Sequence, residues 1–217
     1  MILHDPQTRE EWLQCRSRGI GGSDAAAAIG LNKYTSNVEL WRIKTHREQA
    51  ADISDEPAVK YGKEAEAHIR ALFALDYPNF IVDYHEYRMY ANDNEHWLYA
   101  TLDGELTDKK TGKQGILEIK TTTIQNSSQW NEWKDRIPES YYIQTLHQML
   151  ATGRDFVILR AYIRHYDKDG KLTATVKDYP ILREEVKDDM EYLFEREKNF
   201  WEYVQSGKEP PLILPMI

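Results

Sequence analysis

Two short apolar runs, Leu102-Asp-Gly-Glu-Leu106 and Ile116-Leu-Glu-Ile-Lys-Thr121, decide the fold that this sequence predicts. A stretch rich in turn-forming residues, 107–115, separates them, so we predict two strands joined as a hairpin. Successive side chains of a strand alternate between its two faces, so Glu118 and Lys120 should project together, away from the aliphatic residues between them.

Two carboxylates and an ammonium group are what metal-assisted hydrolysis of a phosphodiester requires. A first strand that ends at Asp103 would place this carboxylate beside Glu118, where the two could bind Mg²⁺ through hard oxygen ligands. Lys120 would lie near the attacking water and the developing charge. The same spacing also occurs on solvated strand faces, so the spacing alone leaves both interpretations open.

Composition limits the class of protein. Of the 217 residues, 41% are hydrophobic and 12% aromatic, which predicts one folded domain, 1–217, and not a disordered segment. The sequence has no apolar run of transmembrane length and no secretory signal pattern, and its single cysteine, Cys15, excludes internal disulfides and multi-cysteine zinc sites. We therefore expect a protein of a reducing cytoplasm. The net charge of −8 disfavours a uniformly basic DNA-binding surface but permits a local basic cleft.

The predicted elements describe an α/β protein with a central mixed β-sheet flanked by helices. Helices are predicted over 8–16, 25–28, 37–44, 57–75, 128–136, 141–151 and 183–204. Strands are predicted near 80–83, 86–90, 98–103, 116–121, 156–166 and 172–179.

The helix over 57–75 carries a third acid. Glu66 shares a helical face with Ile69 and Phe73, which follow it by three and seven positions. A carboxylate on an apolar face is costly unless it is paired or binds a cation. An ion pair with a nearby Arg or Lys is one interpretation. The proximity expected of Asp103 and Glu118 favours the other, a metal ligand.

Arg16 and the loop Arg18-Gly-Ile-Gly-Gly-Ser-Asp24 form a second candidate site. The glycines allow backbone N–H groups to converge, and a helix begins near Ser23, so an anion could bind there. Arg16 could bind a phosphate with its planar guanidinium group. Asp24 would repel an anion unless it points away as a helix cap. An ordinary turn between two helices is the alternative.

Taken in order, these segments resemble the YqaJ-type viral recombinases, the lambda exonuclease-like branch of the PD-(D/E)xK nuclease superfamily. The resemblance spans 12–210 and implies a restriction-endonuclease-like core. The motifs that carry it are Trp12…Arg16-x-x-Gly-Ile-Gly-Gly-Ser-Asp24, Gly62-Lys-Glu-Ala-Glu66, Leu102-Asp-Gly104, Leu117-Glu-Ile-Lys120, Tyr141-Tyr-Ile-Gln144-Thr-Leu-His-Gln148 and Phe200-Trp-Glu-Tyr-Val204.

The resemblance also implies roles for particular residues. A Mg²⁺ site, in which Mn²⁺ can substitute, would be formed by Glu66, Asp103, Glu118 and the backbone carbonyl of Ile119. Lys120 would position and activate the attacking water, and Gln144 would lie at the edge of the active site. Arg16 and Ser23 would bind the 5′-terminal phosphate of DNA. Leu146 departs from the family pattern, which often has a second glutamine there, and leaves the finer role of this helix open.

The function that the resemblance implies is a Mg²⁺-dependent 5′→3′ double-stranded DNA exonuclease of phage-type recombination. It would act on 5′-phosphorylated ends and expose 3′ single strands for an annealing protein. The same resemblance suggests a homo-oligomeric ring and a phage- or prophage-encoded protein of the bacterial cytoplasm with no membrane partner. The alternatives are a structure-specific or restriction-type endonuclease with the same metal core and a non-catalytic DNA-end-binding module.

For several other residues the sequence permits two interpretations. His147 and Gln148 line the DNA path or face solvent. Trp130 and Trp133 stack on unpaired bases or, as is more usual for such residues, belong to the core. The apolar tail 210–217 docks on its own domain or on a neighbouring subunit.

Overall fold

The structure, a computed structural model, describes residues 2–214. Its helices are α1 Arg9–Arg16, α2 Gly22–Ala28, α3 Asn37–Lys44, α4 Pro57–Asp76, α5 Ser127–Asn131, α6 Glu139–Thr152 and α7 Lys187–Ser206, with a 3₁₀ turn at Arg183–Glu185. Its strands are β1 Ile2–His4, β2 Phe80–Asp83, β3 Met89–Ala91, β4 Tyr99–Ala100, β5 Gly104–Asp108, β6 Gln114–Ile124, β7 Phe156–Tyr166 and β8 Leu172–Leu182.

The central sheet has five strands in the order β2-β5-β6-β7-β8. Strands β5 and β6 form the predicted antiparallel hairpin, and β6 and β7 pair in parallel, so the sheet is mixed. A parallel pair needs a long crossover, which here contains α5 and α6. A small second sheet, β1-β3-β4, lies outside the central one. The predicted α/β fold with a mixed central sheet is confirmed.

Helices cover both faces of the sheet, as the alternation along β6 requires. Leu117 and Ile119 pack with Ile69 and Phe73 of α4. Ile116 instead belongs to the largest buried cluster, which also contains the apolar residues of α2, α6 and α7. Residues of β6 with even numbers therefore face α6, and this places Glu118 under that helix.

Most element boundaries agree with the predictions, but the strand predicted over 98–103 is too long, because the observed strand ends at Ala100. Only Tyr99–Ala100 is extended there, and Asp103 lies in a bend immediately before β5. The next strand, β5, begins at Gly104. The Asp103 carboxylate accepts the N–H of Ile119, and this contact holds Asp103 in the bend that precedes the strand. Asp103 thus begins the hairpin and does not end a separate strand.

The helix predicted over 128–136 is also too long, since α5 ends at Asn131. Trp133 leaves the helix to pack into a buried cluster with Ile124, Leu159 and Ile163 under the sheet. Tertiary burial of a large aromatic side chain outweighs helix propensity here. None of the helices within 2–214 has the length and hydropathy needed to cross a lipid bilayer.

The C-terminal tail docks on its own domain as far as the structure describes it. Asn37 Nδ2 donates to the carbonyl of Pro211 at 2.8 Å, and Asn37 Oδ1 accepts the N–H of Ile213 at 3.0 Å. The Ile213 side chain fills the space beside Gly30, whose φ of +78° favours glycine. The rest of the predicted tail, 215–217, lies outside the described residues.

Candidate active site

Glu118 lies at the centre of a hydrogen-bonded cluster beneath α6. Its side chain is 1% exposed, and Lys120 Nζ lies 2.7 Å from its Oε1, so the two side chains project together as predicted. Gln144 Nε2 donates to the same oxygen at 2.6 Å, and Gln148 Nε2 donates to Oε2 at 2.6 Å. Protein donors therefore hold both oxygens of this buried carboxylate.

Asp103 lies beside this cluster although its strand was predicted wrongly. Its Oδ2 accepts the N–H of Ile119 at 2.8 Å. Burial, followed by the negative charges of Glu118 and Glu66, raises the pKa of Asp103 well above its ordinary value. The three predicted acids are therefore close enough to repel one another.

Glu66 completes the acidic group and forms an ion pair. Arg70, one helical turn later on α4, lies 3.0 Å from Glu66 Oε1 and also donates to the backbone carbonyl of Asp103. The Arg70 guanidinium lies over the ring of Tyr84, 3.5 Å from its centre. Burial raises the pKa of Glu66, and the repulsion from Glu118 adds to this effect against the opposing influence of Arg70. The ion pair is thus present, and it lies within the acidic group.

The charges of this group fit a divalent cation. Glu66 and Asp103 are half-buried carboxyl groups with raised pKa values, so they are destabilised as anions, and a cation would relieve their repulsion. Among the residues of 2–214, however, no three acidic, histidine or cysteine side chains are gathered as ligands of one ion. Mg²⁺ is usually held by one or two carboxylates together with water and substrate phosphate, so a complete protein cage is not required. The ligand roles of Glu66, Asp103, Glu118 and the Ile119 carbonyl remain predictions.

Lys120 is an ammonium group held by its surroundings. Burial lowers the pKa of Lys120, but the negative charges of Glu118 and Asp103 outweigh burial and raise it above the ordinary lysine value. Its Nζ also lies 5.0 Å from the centre of the Tyr141 ring. At neutral pH Lys120 therefore carries a positive charge that can hold a water molecule or a developing negative charge.

The loop between α1 and α2 brings the second predicted pair together. Arg16 Nη2 donates to Ser23 Oγ at 2.9 Å, and the Arg16 guanidinium lies over the Trp12 ring, 4.5 Å from its centre. The backbone carbonyl of Arg16 accepts from the Tyr99 hydroxyl at 2.7 Å and from Lys44 Nζ at 3.1 Å. Both the side chain and the backbone of Arg16 are thereby fixed.

The Asp24 carboxylate is held as a helix cap and paired with Lys44, and it lies close enough to Arg16 for their charges to attract. Its Oδ2 accepts the N–H of Gly21 at 3.1 Å as a helix cap and lies 2.7 Å from Lys44 Nζ. Burial raises the pKa of Asp24, but Lys44 and Arg16 outweigh it, and the net pKa is below the ordinary value. Helix α2 begins at Gly22, earlier than predicted, and Ser23 does not cap it.

The loop and the acidic cluster meet at the same helix. A Cβ atom at Gly22 would lie 3.1 Å from Gln144 Cγ and 3.4 Å from Gln148 Cγ. Gly22 therefore allows the loop to approach the two glutamines that hold Glu118. Because of this contact, a ligand bound at Arg16 and Ser23 would lie beside the predicted reaction centre.

Both interpretations of His147 and Gln148 are wrong. These side chains of α6 neither line a DNA path nor face solvent. Both side chains are buried, and Gln148 holds Glu118. His147 lies between Glu197 Oε1 at 2.7 Å and the carbonyl of Tyr99 at 2.8 Å. Leu146 is part of the core, so the second glutamine of this site is Gln148. The four-residue spacing from Gln144, which places both on one helical face, could have identified it.

Trp133 belongs to the core, and Trp130 is half-buried against it. Trp133 is buried, and Trp130 packs against the same cluster and the edge of His165. His165 Nε2 contacts Thr175 Oγ1 at 3.0 Å, so this half-buried ring has a hydrogen-bond partner. Like the role of Gln148, the contact of Arg70 with the site was not predicted from the sequence. Arg70 follows Glu66 by four residues on α4, and this spacing could have indicated their ion pair.

Comparisons with known proteins show which family the chain belongs to and which solved structures share its fold. Residues 11–155 match the model of the YqaJ-like viral recombinase domain. The protein YqaJ of Bacillus subtilis strain 168 is 29% identical over 221 aligned residues, which cover 98% of this chain and 61% of that relative, so the chain spans about three-fifths of its length.

Two solved structures share the fold. An alkaline exonuclease from Laribacter hongkongensis superposes with a TM-score of 0.64 at 20% identity, over 92% of this chain and 94% of the exonuclease. A phage-related exonuclease from Haemophilus somnus 129PT superposes with a TM-score of 0.57 at 15% identity, over 87% and 96% of the two chains. At these identities the likeness concerns the fold.

Proposed function

This chain belongs to the YqaJ-like viral recombinase domain family, and from that premise we propose that it is a metal-dependent deoxyribonuclease. More specifically, we propose a 5′→3′ exonuclease of phage-type recombination that hydrolyses double-stranded DNA from 5′-phosphorylated ends. The observation that carries the proposal is the contact of Gly22 with Gln144 and Gln148, which joins the Arg16–Ser23 pair to the Glu118–Lys120 cluster.

The proposed chemistry begins with the acidic group. Glu66, Asp103 and Glu118, with the Ile119 carbonyl, would hold Mg²⁺ or Mn²⁺. When bound, the cation neutralises charge on the phosphate and favours ionisation of water. With a cation held by Glu66 and Glu118, Arg70 and Lys120 would be attracted less strongly to these carboxylates, and the Lys120 ammonium would be available to hold the attacking water. Gln144 and Gln148 would keep the Glu118 carboxylate in one orientation while its partners change.

The proposed polarity comes from the loop. A guanidinium and a hydroxyl group can bind a terminal phosphate with charge-assisted hydrogen bonds. Cleavage that leaves a 5′-phosphate on the next nucleotide would create the ligand for the Arg16–Ser23 pair again. The 3′ strand that remains would be the substrate of an annealing protein. A homo-oligomeric ring and a location in the bacterial cytoplasm are further parts of this proposal.

The test compares linear with closed circular duplex, each incubated with Mg²⁺, and 5′-phosphorylated with 5′-hydroxyl linear ends. We expect only linear DNA to be digested, and the phosphorylated ends faster. Cleavage of circles would favour the endonuclease alternative. Binding of ends without any digestion would favour the non-catalytic module.

Variants assign the chemistry to the site. Lys120→Ala should slow digestion by about 100-fold or more, the usual contribution of a group that assists proton transfer. Lys110→Ala, an exposed lysine at the opposite end of β6, serves as the matched control and should digest at the wild-type rate. Arg16→Ala should remove the preference for phosphorylated ends. A wild-type rate for Lys120→Ala would contradict the proposed role of this residue.

A further inference from the structure

On its α4 side the central sheet is only partly covered towards the carboxyl ends of β6 and β7, whereas Ile124 and Ile163 on the other side are buried. Strand β6 is buried from Gly115 to Ile119 and half-buried from Lys120 to Thr123, and β7 opens in the same way towards Arg164. Thr123 pairs in register with Arg164. Paired residues of neighbouring strands point to the same face, so these two side chains lie together.

Arg164 is held on this surface by an aromatic ring. Its guanidinium lies over the ring of Tyr61, in the second turn of α4, at 3.7 Å from the ring centre. Its Nε is shielded from solvent and has no hydrogen-bond partner. Within 2–214, Arg164 forms no ion pair with a carboxylate. A half-buried cation without an anion is unusual in a chain with a net charge of −8.

Hydroxyl groups lie beside this cation. Thr121 Oγ1 faces α4 and would lie 3.3 Å from a Cβ at Gly62, next to Tyr61. Thr121 and Thr123 share the α4 side of β6, since they are two residues apart. An oriented guanidinium and hydroxyl donors on one half-exposed sheet surface suit an anion with several acceptor oxygens, such as a phosphate.

We propose that Arg164, stacked on Tyr61, binds a phosphodiester of the duplex ahead of the scissile bond, with Thr121 and Thr123 as additional donors. This inference rests on the proposed nuclease function. The Arg16–Ser23 pair contacts the α6 side of the cluster, and the Arg164 group lies on the α4 side, beyond Lys120 along β6. A strand with its 5′ end at Arg16 would therefore reach Arg164 after passing the reaction centre.

The spacing gives the position of the contacted phosphate. Thr123 follows Lys120 by three residues, which is roughly 10 Å along a strand. The axial rise of duplex DNA is about 3.4 Å per base pair, so the contact falls about three base pairs ahead of the cleavage position. A 5′-phosphorylated dinucleotide is too short to reach it.

The experiment measures binding of a long 5′-phosphorylated duplex, with Ca²⁺ in place of Mg²⁺, at several salt concentrations. Arg164→Gln should raise Kd about tenfold, as expected for one lost charge-assisted hydrogen bond. It should also reduce the slope of log Kd against log salt by about 0.9, the value for one phosphate contact. The control Lys110→Gln changes the net charge equally, at the other end of β6, and should leave the slope unchanged.

Hydrolysis of the dinucleotide with Mg²⁺ separates this site from the reaction centre. Arg164→Gln should cleave the dinucleotide at the wild-type rate. A wild-type salt slope for Arg164→Gln, or an equal loss of activity on both substrates, would overturn the phosphodiester site. Failure of the wild-type protein to cleave any phosphorylated substrate would instead overturn the proposed nuclease function.

A second variant covers the case in which Arg164→Gln fails to fold. Arg164→Lys keeps the charge but not the planar group that stacks on Tyr61. It should retain the wild-type salt slope and bind the long duplex several-fold more weakly, since the hydrogen bonds of an oriented fork are lost. Affinity equal to that of the wild type would count against the proposal.

Discussion

The buried pair of His147 and Glu197 is expected to make an unusually large contribution to stability. His147 Nδ1 lies 2.7 Å from Glu197 Oε1, its Nε2 lies 2.8 Å from the carbonyl of Tyr99, and both side chains are fully buried. Each ring nitrogen faces an oxygen, and this arrangement favours the doubly protonated imidazolium form. Burial lowers the pKa of His147, but Glu197 and the carbonyl outweigh burial and raise it above the ordinary 6.5.

Replacing one partner should destabilise the protein strongly. In His147→Leu the Glu197 carboxylate, whose Oε2 already has no hydrogen-bond partner, would remain buried without a counter-charge. Breaking a buried pair in this way costs about 3–5 kcal/mol of unfolding free energy. For a chain of this size that loss lowers Tm by about 10 °C. The double variant His147→Leu/Glu197→Met removes both charges and should recover about 2–3 kcal/mol relative to the sum of the single variants.

Urea unfolding of the metal-free protein measures these differences. Because the pKa of His147 is raised in the folded state, its contribution is complete below the unfolded value of 6.5 and is lost as pH rises through the folded value. The cost of His147→Leu should therefore be larger at mildly acidic than at alkaline pH. A single variant as stable as the wild type, or a double variant with strictly additive losses, would refute the reasoning.

Three further variants test the surroundings of the site. Gln148→Met removes the amide donor that lies 2.6 Å from Glu118 Oε2. A hydrogen bond to a charged group contributes about 1.5–3 kcal/mol, so single-turnover digestion should be slower by about 10-fold or more. An unchanged rate would exclude this positioning role. Tyr99→Phe removes the hydroxyl that supports the Arg16 carbonyl and should reduce the preference for 5′-phosphorylated ends several-fold, while digestion of 5′-hydroxyl ends stays constant. Asp103→Asn should abolish digestion. In a thermal melt with chelator it should stabilise the protein by about 1–2 kcal/mol, because it removes a half-buried carboxylate that neighbouring carboxylates repel; lower stability would contradict this.

Local features of the fold could be predicted from the sequence because short-range rules govern them. Thr8 caps α1 by accepting the N–H of Glu11, and Ser36 caps α3 in the same way, so both helices begin where predicted. Alternation along β6 correctly placed Glu118 and Lys120 on one side. These features depend on residues that are within a few positions of one another.

The boundary errors at Asp103 and in α5 arise from contacts with residues distant in the sequence, which local patterns do not report. Asp103 ends up in a bend because its carboxylate binds the amide of Ile119, which is 16 positions away. Trp133 leaves α5 for a cluster formed by β6 and β7. Propensity favours a longer strand and a longer helix at these places, and tertiary packing outweighs it.

For the site, the sequence by itself determined the chemical groups and the projection of Glu118 and Lys120 to one side of β6, but it did not determine the role of Gln148. Only the tertiary structure decided which of these groups meet. The contact between Gln148 and Glu118 spans 30 positions, that between His147 and Glu197 spans 50, and the stack of Arg164 on Tyr61 joins β7 to α4. Such contacts depend on the parallel crossover from β6 to β7 and on which helix covers which face of the sheet. Periodicity cannot specify this arrangement, because it gives the apolar face of an element but not the neighbour against which that face packs.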